Sequence, residues 1–338
     1  MIVILKSDAT EEQIRHIVEK AEHLGLKAHI SRGIEKTVIG FVGPEDVLRE
    51  TPLEVFPGVE RVIPVLKPYR LVSREFKKEN TVIKVGERVR IGDKRVIVMA
   101  GPCSVENREN LMIIAQKVKE AGATVLRGGA FKPRTSPYDF QGLGEEGLKI
   151  LKEVGKEVGI ATISEVMDIR HIDLMDKYVD IFQIGARNMQ NFTLLKEIGM
   201  TKKPVMLKRG ISATVKEWLM AAEYLLANGN FDVMLCERGI RTFETATCNT
   251  LDINAVPLVK QLSHLPIIVD PSHGAGLWGL VPSGARAAVA AGCDGLIIEV
   301  HHNPEEALSD GAQSLIPQKF SEMMTELKRI ALAVNREI

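Results

Sequence analysis

Between Val96 and Val300 the chain alternates short apolar runs with helix-patterned stretches, and it does so eight times. The runs are VIVMA (96–100), TVLR (124–127), IATISE (160–165), DIFQIG (180–185), PVMLKR (204–209), DVMLCE (232–237), PIIVD (266–270) and GLIIEV (295–300). Short runs rich in Val and Ile, without strict polar alternation, read as strands covered on both faces. The intervening stretches, such as NRENLMIIAQKVKEAG and VKEWLMAAEYLLANG, carry apolar residues at helical spacing. A strand followed by a crossover helix returns the next strand parallel to the first. Eight such units at even spacing predict a closed (β/α)8 TIM barrel rather than an open doubly wound sheet. The stretch TVIKVGERVRIGDKRVIVMAGP opens with a Gly-turned hairpin, expected to cap the barrel bottom.

Residues 1–66 follow another rhythm. MIVILK is a short apolar strand, Thr10 is a plausible N-cap, and Ile14, Ile17, Val18, Ala21 and Leu24 fall at helical spacing before Gly25. KAHISRG and TVIGFVG are two β-branched runs, PEDVLRETPLEVFPG is a weaker helical stretch, and VERVIPVL closes the unit. The order βαββαβ predicts a small α+β ferredoxin-like domain. It holds no paired carboxylates, Gly-rich loop or His/Cys cluster, so a non-catalytic role is expected, as a stability or oligomerisation module or as a regulatory unit. Residues 67–80 read as a charged, proline-marked linker, and 81–338 as the barrel with its hairpin.

Lys+Arg and Asp+Glu both number 44, so nothing in the charge balance points to nucleic acid. No apolar run of about 18 residues exists, which excludes a membrane-spanning helix from the expectation. The start lacks a basic region followed by a long apolar core, and a cytoplasmic protein is expected. Cys103, Cys236, Cys248 and Cys293 are scattered without a CxxC pair, so no disulfide framework is expected.

Catalytic groups of such barrels sit at the C-terminal ends of the strands. The unusual polar residues fall there: GPCS after the first strand, RGGAFKPRTSPYDFQG after the second, then Glu165, GARN, LKRG, CERG, DPSH and EVHH. Arg127, Lys132, Arg134, Arg187, Lys208, Arg209, Arg238 and Arg241 lie at or near those ends. Converging cations repel unless anions fill the site, so phosphate and carboxylate ligands are expected. Arg209 and Arg241 are alternatively outward-facing or paired with Glu. Cys103, His273 and Glu299 end strands that are neighbours in a closed barrel, with Asp310 on the following loop. Thiolate, imidazole and carboxylates form a mixed site for a divalent transition metal, with His301 and His302 as competing imidazoles.

Together GPCSVE, LRGGAFKPRTSPYDFQGLG, QIGARNMQN, LKRG, CERGIRTFE, NTLD, DPSH and EVHHNPEEALSDG resemble the 3-deoxy-D-arabino-heptulosonate 7-phosphate (DAHP) synthases. The similarity spans about residues 70–335 and is to the shorter type I branch related to the octulosonate synthases. The preceding domain resembles, by its layout, the ACT-like domain that some members carry. The resemblance implies a metal-dependent transferase. Phosphoenolpyruvate, D-erythrose 4-phosphate and water would give DAHP and phosphate, the entry step of the shikimate route to aromatic amino acids. It implies one divalent ion (Mn, Fe, Co, Zn or Cd) held by Cys103, His273, Glu299 and Asp310. It implies a phosphoenolpyruvate clamp of Arg127, Lys132, Arg187, Lys208 and Arg238, with the Ala186 backbone and Glu165 nearby. Pro133, Arg134, Thr135 and Ser136 match the loop that holds the aldose phosphate. Lys132, His273 and Cys103 are the expected catalytic residues, the first two as candidates for proton transfers.

Leu277 and Trp278 replace a basic pair usual in the family, Cys248 stands where Arg is frequent, and His302 where Pro is usual. These departures bear on loop and phosphate contacts and on aldose preference. The nearest rival reading is 3-deoxy-D-manno-octulosonate 8-phosphate synthase, which takes arabinose 5-phosphate; the KPRTS stretch favours the four-carbon aldose. A barrel that had lost catalysis would lack a metal ligand or Lys132, and none is missing. In the N-terminal domain, tyrosine or phenylalanine is the expected effector, bound between two such domains of a homotetramer. His29 and Ser31 alternate on one strand and could line that site, although a solvent-facing surface is the plainer account of the pair.

Overall fold

The computed structural model describes residues 1–33, 36–43, 47, 52–63, 68–132 and 136–338. Met1–Pro68 and Tyr69–Ile338 are two compact units. In the first, strands β1 (Ile2–Leu5), β2 (Lys27–Arg32), β3 (Thr37–Val42) and β4 (Val59–Ile63) pair antiparallel in the order β2-β3-β1-β4. Helix α1 (Glu11–His23) starts at a capping box: the Thr10 side chain accepts from the Gln13 N–H, and the Gln13 side chain accepts from the Thr10 N–H. Alternation puts Val3, Leu5, Ile39 and Phe41 on one sheet face, where Ile14, Ile17 and Ala21 of α1 bury them. This is the ferredoxin-like arrangement expected. Residues 44–46 and 48–51 of the weaker helical stretch lie outside the described residues; within its second half, Leu53–Val55 is a single 3-10 turn. His29 and Ser31 are exposed on the edge strand β2, opposite Gly40 and Val38 of β3. The alternation that buries Ile39 and Phe41 under α1 places both on the other face of the sheet.

The second unit is a closed barrel of eight parallel strands, β7 (Ile97–Gly101), β8 (Val125–Arg127), β9 (Ala161–Glu165), β10 (Ile181–Ile184), β11 (Val205–Lys208), β12 (Val233–Glu237), β13 (Ile267–Val269) and β14 (Gly295–Glu299). β14 closes onto β7 through five paired residues, Gly295↔Ile97 to Glu299↔Gly101. Outside run α2 (Arg108–Glu120), α3 (Glu145–Val158), α4 (Ile172–Asp176), α5 (Phe192–Gly199), α6 (Val215–Ala227), α7 (Ala255–Leu262), the short α8 (Pro271–Ala275), α9 (Val281–Ala290) and α10 (Pro317–Ala333).

The two-residue period of a strand sorts the strand side chains into two cores. Val98, Leu126, Phe182, Leu207, Leu235, Val269 and Leu296 pack outward against the helices. Ile97, Met99, Val125, Ile163, Ile181, Met206, Met234, Ile268 and Ile297 pack inward on each other. The hairpin β5 (Ile83–Val85) and β6 (Val89–Ile91) adds Ile83, Val85, Val89 and Ile91 to that inner core, so it plugs the barrel floor. Continuing the inward series towards the strand C-termini gives Arg127, Glu165, Gln183, Lys208, Asp270 and Glu299. Apolar residues fill the lower barrel, and the next inward position turns polar on most strands. Fold geometry thereby gathers these side chains at one mouth.

Residues 69–80 belong to the barrel unit and are tied to it rather than spanning free as a linker. Glu223 of α6 accepts the backbone N–H groups of Arg70 (2.9 Å), Leu71 (2.8 Å) and Val72 (3.0 Å). Val72 is fully buried, and His264 bridges Thr81 Oγ1 and the Leu71 carbonyl.

Candidate active site

Cys103 follows β7 by two residues and is buried. Gly101 carries a φ of +152°, and a Cβ there would meet the Arg127 carbonyl at 2.2 Å, so only glycine lets the strand end lie this close to β8. The Cys103 Sγ–H donates to Asp310 Oδ2 at 2.8 Å, across 207 positions of sequence. Lys132 Nζ donates to the same sulfur at 2.7 Å and to the Cys103 carbonyl at 3.2 Å. On the inner wall Arg127 Nη1 lies 2.8 Å from Glu299 Oε1, both side chains buried. His273 Nε2 stands 3.6 Å from that oxygen, and its Nδ1 stands 2.8 Å from Asp270 Oδ2. Lys208 Nζ donates to Asp270 Oδ2 at 2.6 Å.

The Cys103 sulfur and the Glu299 and Asp310 oxygens lie within 4.8 Å of one another. His273 is outside that tightest group and reaches it through Glu299. Glu299 Oε1 is buried and, although Arg127 is near, accepts no well-aligned hydrogen bond. Burial first, and the Glu299 charge second, push the Cys103 thiol up to about 12. A bound divalent cation reverses that, because a coordinating thiol is deprotonated outright. A carboxylate oxygen with no well-aligned hydrogen bond, a thiol, a second carboxylate and a neighbouring imidazole suit a divalent transition ion. Burial by itself would lower the Lys132 ammonium, but the Cys103 sulfur and Glu165 outweigh it and hold it above the ordinary lysine value. Asp270 is held well below the usual carboxylate range: full burial opposes this, and His273 and Lys208 overcome it.

Beside this cluster Ala186, Arg187, Met189, Arg238, Arg241 and Cys248 help line a cavity of about 620 Å3. Among the described residues none of the three arginines forms an ion pair, so their charge faces open space, as an anion site requires. Arg209 differs: its Nη1 donates to Glu237 (2.8 Å) and Asp252 (2.9 Å) and its Nε to the Ala213 carbonyl, so its guanidinium is turned to protein partners. It is thus one of the paired arginines. Glu165 accepts from Gln183 Nε2 at 3.2 Å, and a Cβ on Gly185 would fall 2.0 Å from Glu165 Oε1. Pro133, Arg134 and Thr135 lie outside the described residues. Ser136 stands at the edge of the same loop, where its Oγ accepts the Tyr138 N–H.

The departures have local settings. Cys248 packs against Gly276, where a Cβ would come within 2.2 Å of its sulfur. Leu277 and Trp278 are about half exposed after α8. His302 stacks on His301 with ring centroids 4.8 Å apart, and neither ring replaces His273 beside Glu299. Asp270 was not among the expected site residues. Its signal was available: it sits two residues past inward-facing Ile268, and a carboxylate at such a position demands cationic partners.

The family model "DAHP synthetase I family" matches residues 80–334, and "DAHP synthase ferredoxin-like domain" matches residues 1–67. A protein of Thermotoga maritima named phospho-2-dehydro-3-deoxyheptonate aldolase is 52% identical over 338 residues, covering 100% of both chains. A 2-dehydro-3-deoxyphosphooctonate aldolase of Syntrophobacter fumaroxidans is 31% identical over 255 residues, 70% of this chain and 88% of its own. The crystal structure of the Thermotoga maritima DAHP synthase superposes with a TM-score of 0.93 at 51% identity, covering 99% of this chain and 98% of that one. A truncated form of the synthase from the same organism superposes at 0.74 with 49% identity, covering 79% of this chain and 98% of that one. A catalytic barrel with this mouth, preceded by this ferredoxin-like unit, belongs to the DAHP synthetase I family.

Proposed function

We propose that this enzyme condenses phosphoenolpyruvate with D-erythrose 4-phosphate and water to give DAHP and phosphate, using one divalent metal ion. The observation that carries the metal requirement is the convergence of Cys103, Glu299 and Asp310 within 4.8 Å, with His273 at its edge. A divalent ion held there supplies Lewis-acid polarisation of a carbonyl oxygen.

The chain's own residues do the rest. Arg187, Arg238 and the Ala186 backbone face the anion cavity and seat the phosphate of phosphoenolpyruvate. Arg127, Lys132 and Lys208 carry the positive charge that holds its carboxylate deeper in the barrel, near Glu165. Two anionic substrates repel in water, and a fixed set of cations removes that repulsion while orienting them. Carbon 3 of phosphoenolpyruvate bonds to the aldehyde carbon. Lys132 Nζ, already a donor to the Cys103 sulfur, holds the proton that the aldehyde oxygen takes up. Carbon 2 accepts water, and loss of phosphate from the resulting hemiketal completes the product. His273 serves the metal: its Nδ1 stands beside Asp270 and leaves Nε2 for the ion, so the proton that water gives up at carbon 2 returns to Lys132. The loop from Lys132 to Ser136 takes the aldose phosphate.

We further propose that the N-terminal unit is regulatory, that tyrosine or phenylalanine is its effector with His29 and Ser31 near the site, and that the enzyme is a cytoplasmic homotetramer. No described helix is long and apolar enough to cross a membrane. The metal assignment is tested with Cys103→Ala: metal content by elemental analysis and turnover should fall together. Full activity in a metal-depleted variant would contradict it.

A further inference from the structure

Cys103 and Asp310 come from loops on two neighbouring strands, and the 2.8 Å contact between their side chains is one a bound cation would replace, so it does not by itself fix the distance between those loops. Their immediate neighbours do. Ser104 Oγ and Ser309 Oγ share a hydrogen bond of 2.6 Å, and both residues are buried. Two residues further on, Glu106 reaches across the same gap. Its Oε1 accepts the Leu308 N–H at 2.7 Å, and its Oε2 lies 3.2 Å from His301 Nε2. His301 Nδ1 accepts the Asn303 N–H at 3.1 Å, which puts the ring proton on Nε2 and makes that nitrogen the donor to Glu106. The carboxylate is mostly buried, with 8% of its side-chain surface exposed.

The loop so held is tightly wound. A Cβ on Gly311 would meet the Pro304 carbonyl at 2.2 Å. Asp310 adopts a left-handed φ of 53°, a conformation that is strained for a non-glycine residue and persists where surrounding contacts impose it. Ser314 Oγ donates to the Asp310 carbonyl at 3.0 Å, and Glu106 fixes the loop on the other side. We infer that Glu106 is a positioning residue that clamps the Asp310 loop onto the Cys103 loop and thereby sets the affinity of the metal site. This rests on the metal reading above. Glu106 touches neither the ion nor substrate; it acts through Leu308 and His301 on the placement of Asp310.

Full-length protein, stripped of metal and titrated with Co2+, reads the clamp without turnover. Thiolate-to-cobalt charge transfer reports Cys103, and the d–d bands report the whole ligand set. Glu106→Ala is expected to weaken Co2+ binding about 10–100-fold, the loss usual for an outer-shell partner of a metal ligand. Its charge-transfer band should persist, and its d–d spectrum should approach that of Asp310→Ala. Glu106→Gln, which keeps one acceptor oxygen, should lie between and serves if the alanine variant does not fold. Wild-type affinity and d–d spectrum in both folded variants, or in the glutamine variant where the alanine variant does not fold, would overturn the clamp. Absence of the thiolate band in the wild type would instead overturn the metal reading, and the clamp with it.

Discussion

Lys132 Nζ sits 2.7 Å from Cys103 Sγ, so the proposed proton donor and the proposed thiolate ligand are in direct contact. An ammonium there stabilises the thiolate and is held by it. Lys132→Ala should therefore abolish turnover, while circular dichroism shows the fold intact. Unaffected turnover would remove Lys132 from the site.

Two arginines at adjacent strand ends should fail differently. Arg209 is buried and paired with Glu237 and Asp252. Its replacement by Ala leaves the buried Glu237 carboxylate without its cation and should cost about 3–5 kcal/mol of stability. Arg238 faces the cavity, so Arg238→Ala should shift stability by no more than about 0.5 kcal/mol and raise KM for phosphoenolpyruvate. Denaturation and steady-state kinetics on both variants separate the two roles.

The His264 ring ties residues 71 and 81 to the barrel, and burial lowers its pKa below the ordinary value of 6.5. The folded state thus binds its proton more weakly than the unfolded chain does. Its contribution to stability is complete above 6.5 and is lost as pH falls through that value and then through the depressed one. Urea unfolding at a series of pH values should show this slope on the acid side of neutrality, and His264→Asn should flatten it.

Removing residues 1–66 should leave turnover in place and abolish inhibition by tyrosine or phenylalanine. Inhibition that survives the truncation would contradict the regulatory proposal.

The eight strands were legible because each is an apolar run whose length matches a barrel stave; observed ends fall within about one residue, as at Val125–Arg127 for TVLR. The mouth residues were legible for the same reason, since Arg127, Lys208 and Glu299 each lie at or one residue from the end of a run. What the sequence left hidden were partnerships across the barrel. Arg209 and Lys208 are adjacent cations, yet one turns to Glu237 and Asp252 and the other to Asp270. Strand alternation sends the two side chains apart, but which neighbouring strand supplies each carboxylate is not local. Glu106 was quoted only as part of a motif, because its partners His301 and Leu308 lie about two hundred positions away.

The central claim is tested most directly by following phosphoenolpyruvate consumption by the purified protein with Mn2+, offering erythrose 4-phosphate or arabinose 5-phosphate, with and without EDTA. The site predicts faster consumption with erythrose 4-phosphate, abolished by EDTA and restored by excess metal. A preference for arabinose 5-phosphate, or turnover indifferent to EDTA, would contradict it.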